Sequence, residues 1–115
     1  MDPSIFQKLP DKQIILLYAD MMQVADRMGF KIERSQDPSM KFDVIYEMGG
    51  ELRYVSIGDI TEVDYYIQPR VEARKKRLEF FSKHSDCIKS KSTSLLDPVI
   101  LTWLFLWHGY TEPSF

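Results

Sequence analysis

From Ile14 onward, apolar residues recur at three- and four-residue spacing: Ile14, Leu17, Tyr18, Met21, Val24, Ala25 and Met28. Lys12, Gln13, Asp20, Gln23, Asp26 and Arg27 occupy the remaining faces. The spacing predicts one amphipathic helix of about five turns, opened by Leu9-Pro10-Asp11 and ended by Gly29. An earlier Asp2-Pro3 predicts a short helical turn through Lys8. The methionines at 21, 22, 28 and 40 read as flexible core filler rather than an adaptable groove.

The period then changes from 3.6 to 2. Phe30–Arg34 alternates as a short strand, and a loop with Asp37-Pro38 follows. Segments 41–48 and 51–57 flank Gly49-Gly50, a two-glycine link that suits a tight hairpin. If that link is the whole turn, Met48 faces Glu51, Tyr46 faces Arg53, Val44 faces Val55 and Phe42 faces Ile57. The opposite side holds Asp43, Ile45, Glu47, Leu52, Tyr54 and Ser56, a mixed surface partly wet or partly covered by a partner. Segment 60–67, ITEVDYYI, is ambiguous between a strand and a helical start with a Thr61/Asp64 capping pair. Its β-branched and aromatic residues favour a strand or extended entry ending before Pro69. A helix from Pro69 follows, with Val71, Leu78 and Phe81 as its apolar stripe, and the hydrophilic run 82–94 reads as a loop.

Near the C-terminus, LLDPVILTWLFLWHGY has no polar face. Asp97 can cap the first amides, Pro98 suits the first helical position, Gly109 can take a left-handed stop and Pro113 prevents continuation. The eleven residues from Pro98 to His108 span roughly 16 Å, too short for about 30 Å of hydrocarbon. A helix apolar all round is buried all round: either it is the central helix, or one side meets another chain. A domain this small has limited volume to surround it. The expectation is a helix half in the core and half in a homodimer seam, with Trp103, Phe105 and Trp107 as the apolar anchors.

The architecture predicted is a single α+β domain spanning 1–115: an N-terminal amphipathic helix, a small antiparallel sheet with a Gly-Gly hairpin, a basic helix and a buried apolar helix. A chain of 115 residues needs no metal or disulfide to hold a core. The lone Cys87 cannot pair within the chain, which favours a reducing intracellular, cytoplasmic setting. The opening MDPSIFQKLPDK lacks the basic start and apolar centre of a signal peptide.

Charge is balanced globally, 15 basic against 17 acidic residues, yet segregated. Residues 70–91 carry a local +5 and the rest of the chain −7. Arg70, Arg74 and Arg77 follow i, i+4, i+7, so one helical stripe can present three guanidinium groups to phosphates or to an acidic partner. The plainer reading is a solvated face paired through Glu72–Lys76 and Glu79–Lys83.

Catalytic constellations are poor. All five glycines sit at element ends, so no glycine-rich phosphate cradle opens a helix. His84-Ser85-Asp86-Cys87 offers a thiol and an imidazole in a Ser/Lys-rich loop without a third orienting group. Asp43 with Glu51-Leu52-Arg53 is superficially similar to a restriction-type nuclease core. The hairpin register separates the two carboxylates by roughly 17 Å and puts them on opposite faces, too far to share a cation. No enzyme activity, metal or cofactor is expected.

Leu9-Pro10-Asp11 leading into IILLYADMM resembles the opening of an F-box, over about fifteen residues. That resemblance implies a ubiquitin-ligase adaptor. The chain as a whole, with its MDPSIFQKLPDK opening, resembles the small orphan proteins of large cytoplasmic DNA viruses, which implies a viral component. The function expected is a non-enzymatic interaction module, self-associating as a homodimer and binding an unidentified protein partner, with no membrane association. The alternative is a nucleic-acid-binding accessory protein using the basic helix 70–83.

Overall fold

The computed structural model describes residues 5–67, 70–90, 94 and 96–109. Two short helices, α1 (Ile5–Lys8) and α2 (Asp11–Leu17), lead into α3 (Ala19–Arg27). A three-stranded antiparallel sheet follows in the order β1 (Lys31–Arg34), β2 (Met40–Met48), β3 (Glu51–Asp59). Then come α4 (Arg70–Lys83), α5 (Ser85–Lys89) and α6 (Pro98–Leu101), the last running on into a π-helical stretch, Thr102–Leu106. The class is α+β, as the change of period implies.

The long N-terminal helix is in fact two. The backbone breaks at Tyr18 (φ −104°, ψ 22°), where the phenol is drawn inward to the Asp64 carboxylate at 2.7 Å. The ring packs edge-on against Phe6 and Phe42. Ile14, Tyr18, Met21 and Ala25 remain buried as the spacing requires, while Leu16 and Leu17 are left exposed on α2 at 72% and 41%. Arg34 of β1 ties this end to the sheet: it donates to the carbonyls of Phe6 and Leu9 and pairs with Asp11 at 2.8 Å.

The hairpin register is the expected one, from Met48 opposite Glu51 to Phe42 opposite Ile57. Gly49 and Gly50 both sit in the left-handed region (φ 61° and 81°), as a turn matched to the strands' twist requires. Ile32, Phe42, Val44 and Ile57 alternate into the core. The other face is divided. At one end Gly58 lies so close under Leu106 that a Cβ there would stand 2.6 Å from its methyl carbon. At the hairpin end that face is open.

Segment 60–67 is neither strand nor helix but an ordered loop. Asp59, not Asp64, receives the Thr61 amide (2.8 Å) and hydroxyl (2.6 Å), which holds the Asp59 carboxyl below the usual range. Tyr65 donates its amide to the Leu106 carbonyl at 2.9 Å. Local β-propensity yields here to polar pairing with the terminal helix.

α4 also buries a different stripe from the one its apolar residues mark. Val71 is 78% exposed and Leu78 is exposed, whereas Ala73 and Arg77 are buried and Phe80 and Phe81 half-buried. The run expected as a loop from residue 82 is helical through Lys83 and again across α5. On α4 the ion pair formed is Lys76–Glu79 (3.3 Å), in place of Glu72–Lys76 and Glu79–Lys83. Asp97 caps α6 by accepting from the Val99 amide at 2.9 Å. The left-handed stop falls one residue early, at His108 (φ 61°). Gly109 is needed for another reason: a Cβ there would lie 2.5 Å from the Trp103 indole nitrogen. Pro113 and the proposed turn at Asp2-Pro3 lie outside the described residues.

Candidate interaction surface

The three tryptophan and phenylalanine anchors do not face outward. Trp103 and Trp107 are each 6% exposed and Phe105 is fully enclosed, all by this chain itself. The line of contact expected one turn apart exists, but Phe80 of α4 fills it, stacking on Trp103 (6.2 Å) and Trp107 (5.8 Å). Phe30 packs edge-on against Phe105 at 6.0 Å. The expectation that these side chains form a seam is therefore corrected: a helix without a polar face is satisfied here by α3, α4 and β3 of its own fold.

Arg77 explains how. Its Nε donates to the Trp107 carbonyl at 2.7 Å and a terminal nitrogen to the His108 carbonyl at 3.0 Å, while the guanidinium lies 4.8 Å over the Trp103 ring. It closes the carboxyl end of the terminal helix, where free carbonyls and the helix dipole favour a cation. The three-arginine stripe is thus broken. Arg70 and Arg74 stay exposed, and Arg77 serves the core.

His108 stacks on Tyr65 (4.7 Å, 15°) and stands edge-on to Tyr66. Burial, then the Arg77 charge, lower its pKa; Asp20 opposes them and Arg70 adds to them. Because the unfolded chain then takes the proton first, stability is full above about pH 6.5 and falls as pH drops through it. Melting temperature should decline from pH 7 to pH 5, and His108→Asn, which tolerates a left-handed backbone, should flatten that decline. An identical pH profile in the variant would exclude His108 as the cause.

A polar cluster unmarked in the sequence lies inside. Lys41, 1% exposed, donates to Asp64 at 2.8 Å and to the Glu62 carbonyl at 2.6 Å. Asp64 also accepts from the Tyr18 hydroxyl and from the Tyr66 amide (2.8 Å). Burial, reinforced by the Asp64 charge, pushes the Tyr18 phenol far up, so it remains a donor. Every group here is paired, and the cluster joins α3's entry, β2 and the 60–66 loop. No group of three or more His, Cys, Asp or Glu among the described residues could hold a metal. No helix among them is long and apolar enough to cross a membrane.

The hairpin end of the sheet is open. The register sets Lys31, Ile45 and Tyr54 side by side across the three strands. Tyr54 (57%) and Leu52 (61%) are exposed beside them. With Glu33 and Glu47 they wall a cleft of about 630 Å³.

The chain matches no protein-family model, no curated protein and no solved structure.

The edge of β3 is open as well. Ser35 donates to the Lys41 carbonyl, so odd-numbered residues of β2 bond β1 and even-numbered ones bond β3. By the alternation of an antiparallel ladder, Glu51, Arg53 and Val55 bond β2 while Leu52, Tyr54 and Ser56 turn their backbone groups outward. No described residue pairs with those outward groups. Sequence alternation had already put Leu52 and Tyr54 on this mixed face. Only the sheet order, with β3 at an edge, shows that the same residues also carry unpaired backbone.

Proposed function

We propose that this protein is a non-enzymatic interaction module that self-associates through the open hairpin end of its sheet. One observation carries the reading: β3 is a sheet edge whose outward amides and carbonyls have no partner among the described residues, flanked by exposed Leu52 and Tyr54. An unpaired edge is a template for another strand unless it is blunted by proline, a bulge or inward charge. Segment 51–57 has no proline, and its register with β2 runs without a bulge. Backbone pairing supplies the affinity in such contacts, and alternate side chains supply selectivity.

The test is sedimentation velocity over a concentration series reaching hundreds of micromolar. A reversible species of twice 13.6 kDa is expected. Leu52→Pro removes an outward N–H and leaves the β2 ladder intact, so it should abolish that species while keeping the circular dichroism spectrum. A wild-type chain that stays monomeric throughout refutes self-association.

A further inference from the structure

We infer that the self-association proposed above, on which this inference rests, is a two-fold antiparallel pairing of β3 with β3 of a second copy, centred on Leu52. Isologous pairing about a two-fold axis normal to the sheet keeps the open faces together, so even-numbered residues must oppose even-numbered ones. Within the exposed part of the strand, Glu51–Tyr54, four centres satisfy this, and the one on Glu51 fails at once because it opposes two carboxylates and pairs Leu52 only with the turn residue Gly50; Leu52, Arg53 and Tyr54 remain.

The charges decide among them. Centring on Arg53 places two guanidinium groups in directly opposed, non-hydrogen-bonded positions, with Cα atoms about 4.5 Å apart, and like charges there are destabilising. Centring on Tyr54 opposes Arg53 with Val55 and Glu51 with Ile57. Ile57 is 1% exposed, so a carboxylate would be pressed against a part of the strand already covered by its own helices, at a desolvation cost. Centring on Leu52 opposes Glu51 with Arg53 of the second copy, and the two-fold axis repeats that pair. Within one chain Arg53 and Glu51 already lie 3.3 Å apart, both well exposed. The dimer would complete a square of four alternating charges around the mutual Leu52 backbone hydrogen bonds at its centre. The overlap is short, so the pairing is weak and exchanges quickly.

Charge exchange tests the register. Glu51→Arg alone makes every cross-strand pair Arg against Arg, and Arg53→Glu alone makes every pair Glu against Glu. Each variant should weaken its own homodimer by about tenfold or more. Mixed together, the two variants form only opposite-charge pairs and should recover heterodimer at wild-type strength, as should the double variant with itself. Recovery in the mixture and in the double variant establishes the register. Single variants that dimerise like wild type, or a mixture that does not recover, overturn the register while the self-association reading stands. A monomeric wild type overturns both.

Discussion

Asp64→Ala is expected to destabilise the protein by about 3–5 kcal/mol, the cost of leaving a buried charge without its partner. Lys41 would keep only the Glu62 carbonyl, and the Tyr18 hydroxyl and Tyr66 amide would each lose their acceptor. Against a total stability of about 5–15 kcal/mol for a domain, that is a large fraction. Lys41→Met should cost less, since the carboxylate it leaves behind still accepts from Tyr18 and Tyr66. Replacing Lys41, Asp64 and Tyr18 together by Met, Leu and Phe should recover much of the loss, because no buried charge or hydroxyl is then stranded and only the part-buried Tyr66 amide and Glu62 carbonyl lose a partner. Urea unfolding followed by circular dichroism measures all three. An Asp64→Ala loss below about 1 kcal/mol would place the pair in water rather than inside, since exposed pairs contribute no more than that.

That cluster also marks where sequence reading stops. Lys41 sits at a strand position that alternation assigns to the mixed face, and nothing local distinguishes it from Lys31, which is exposed. Its burial comes from residues about twenty positions away, when the 60–66 loop folds over the end of the sheet. The same loop departs from its local propensity: Ile60, Val63, Tyr65 and Tyr66 favour a strand, while their fate is set by Asp59, Asp64 and the Leu106 carbonyl. Helix α4 fails for a related reason. Its apolar residues Val71 and Leu78 are exposed, and a cation, Arg77, is buried because the terminal helix presents carbonyls and an indole face to it. Periodicity assigns a residue to a face by its own polarity and is blind to a charge whose partner is on another element.

The hairpin was legible to the residue, because a two-glycine link fixes turn length and turn length fixes register. From that register followed the division of the sheet into a core face and a mixed face, and with it the surface that the fold leaves open. The apolar helix was legible as buried but not as buried by what. Its missing polar face pointed to a neighbour, and the neighbour turned out to be Phe80 and Arg77 of the same chain. Trp103, Phe105 and Trp107 are thereby accounted for within the fold, and the proposed self-association is assigned instead to the exposed Leu52 and Tyr54.

Trp103→Ala is expected to unfold the protein or bring it close to unfolding, and not to release a folded monomer. The indole is 6% exposed and contacts Phe80, Phe81 and the Arg77 guanidinium, with Gly109 pressed against its edge. Truncating so large a buried ring costs about 3–5 kcal/mol from lost transfer energy and the cavity left behind. Losing the face beneath Arg77 adds to this, since a partly desolvated guanidinium over an indole contributes up to about 2 kcal/mol. Trp103→Phe keeps a ring for Phe80 and Arg77 and should lose markedly less. Thermal melts by circular dichroism, with light scattering for mass, separate the outcomes. A Trp103→Ala protein that keeps its wild-type melting temperature but halves its mass would return the terminal helix to an interface. Loss of the folded spectrum with Trp103→Ala, beside a folded Leu52→Pro variant that no longer associates, would separate the two apolar surfaces by role: one holds the fold and the other holds the second copy.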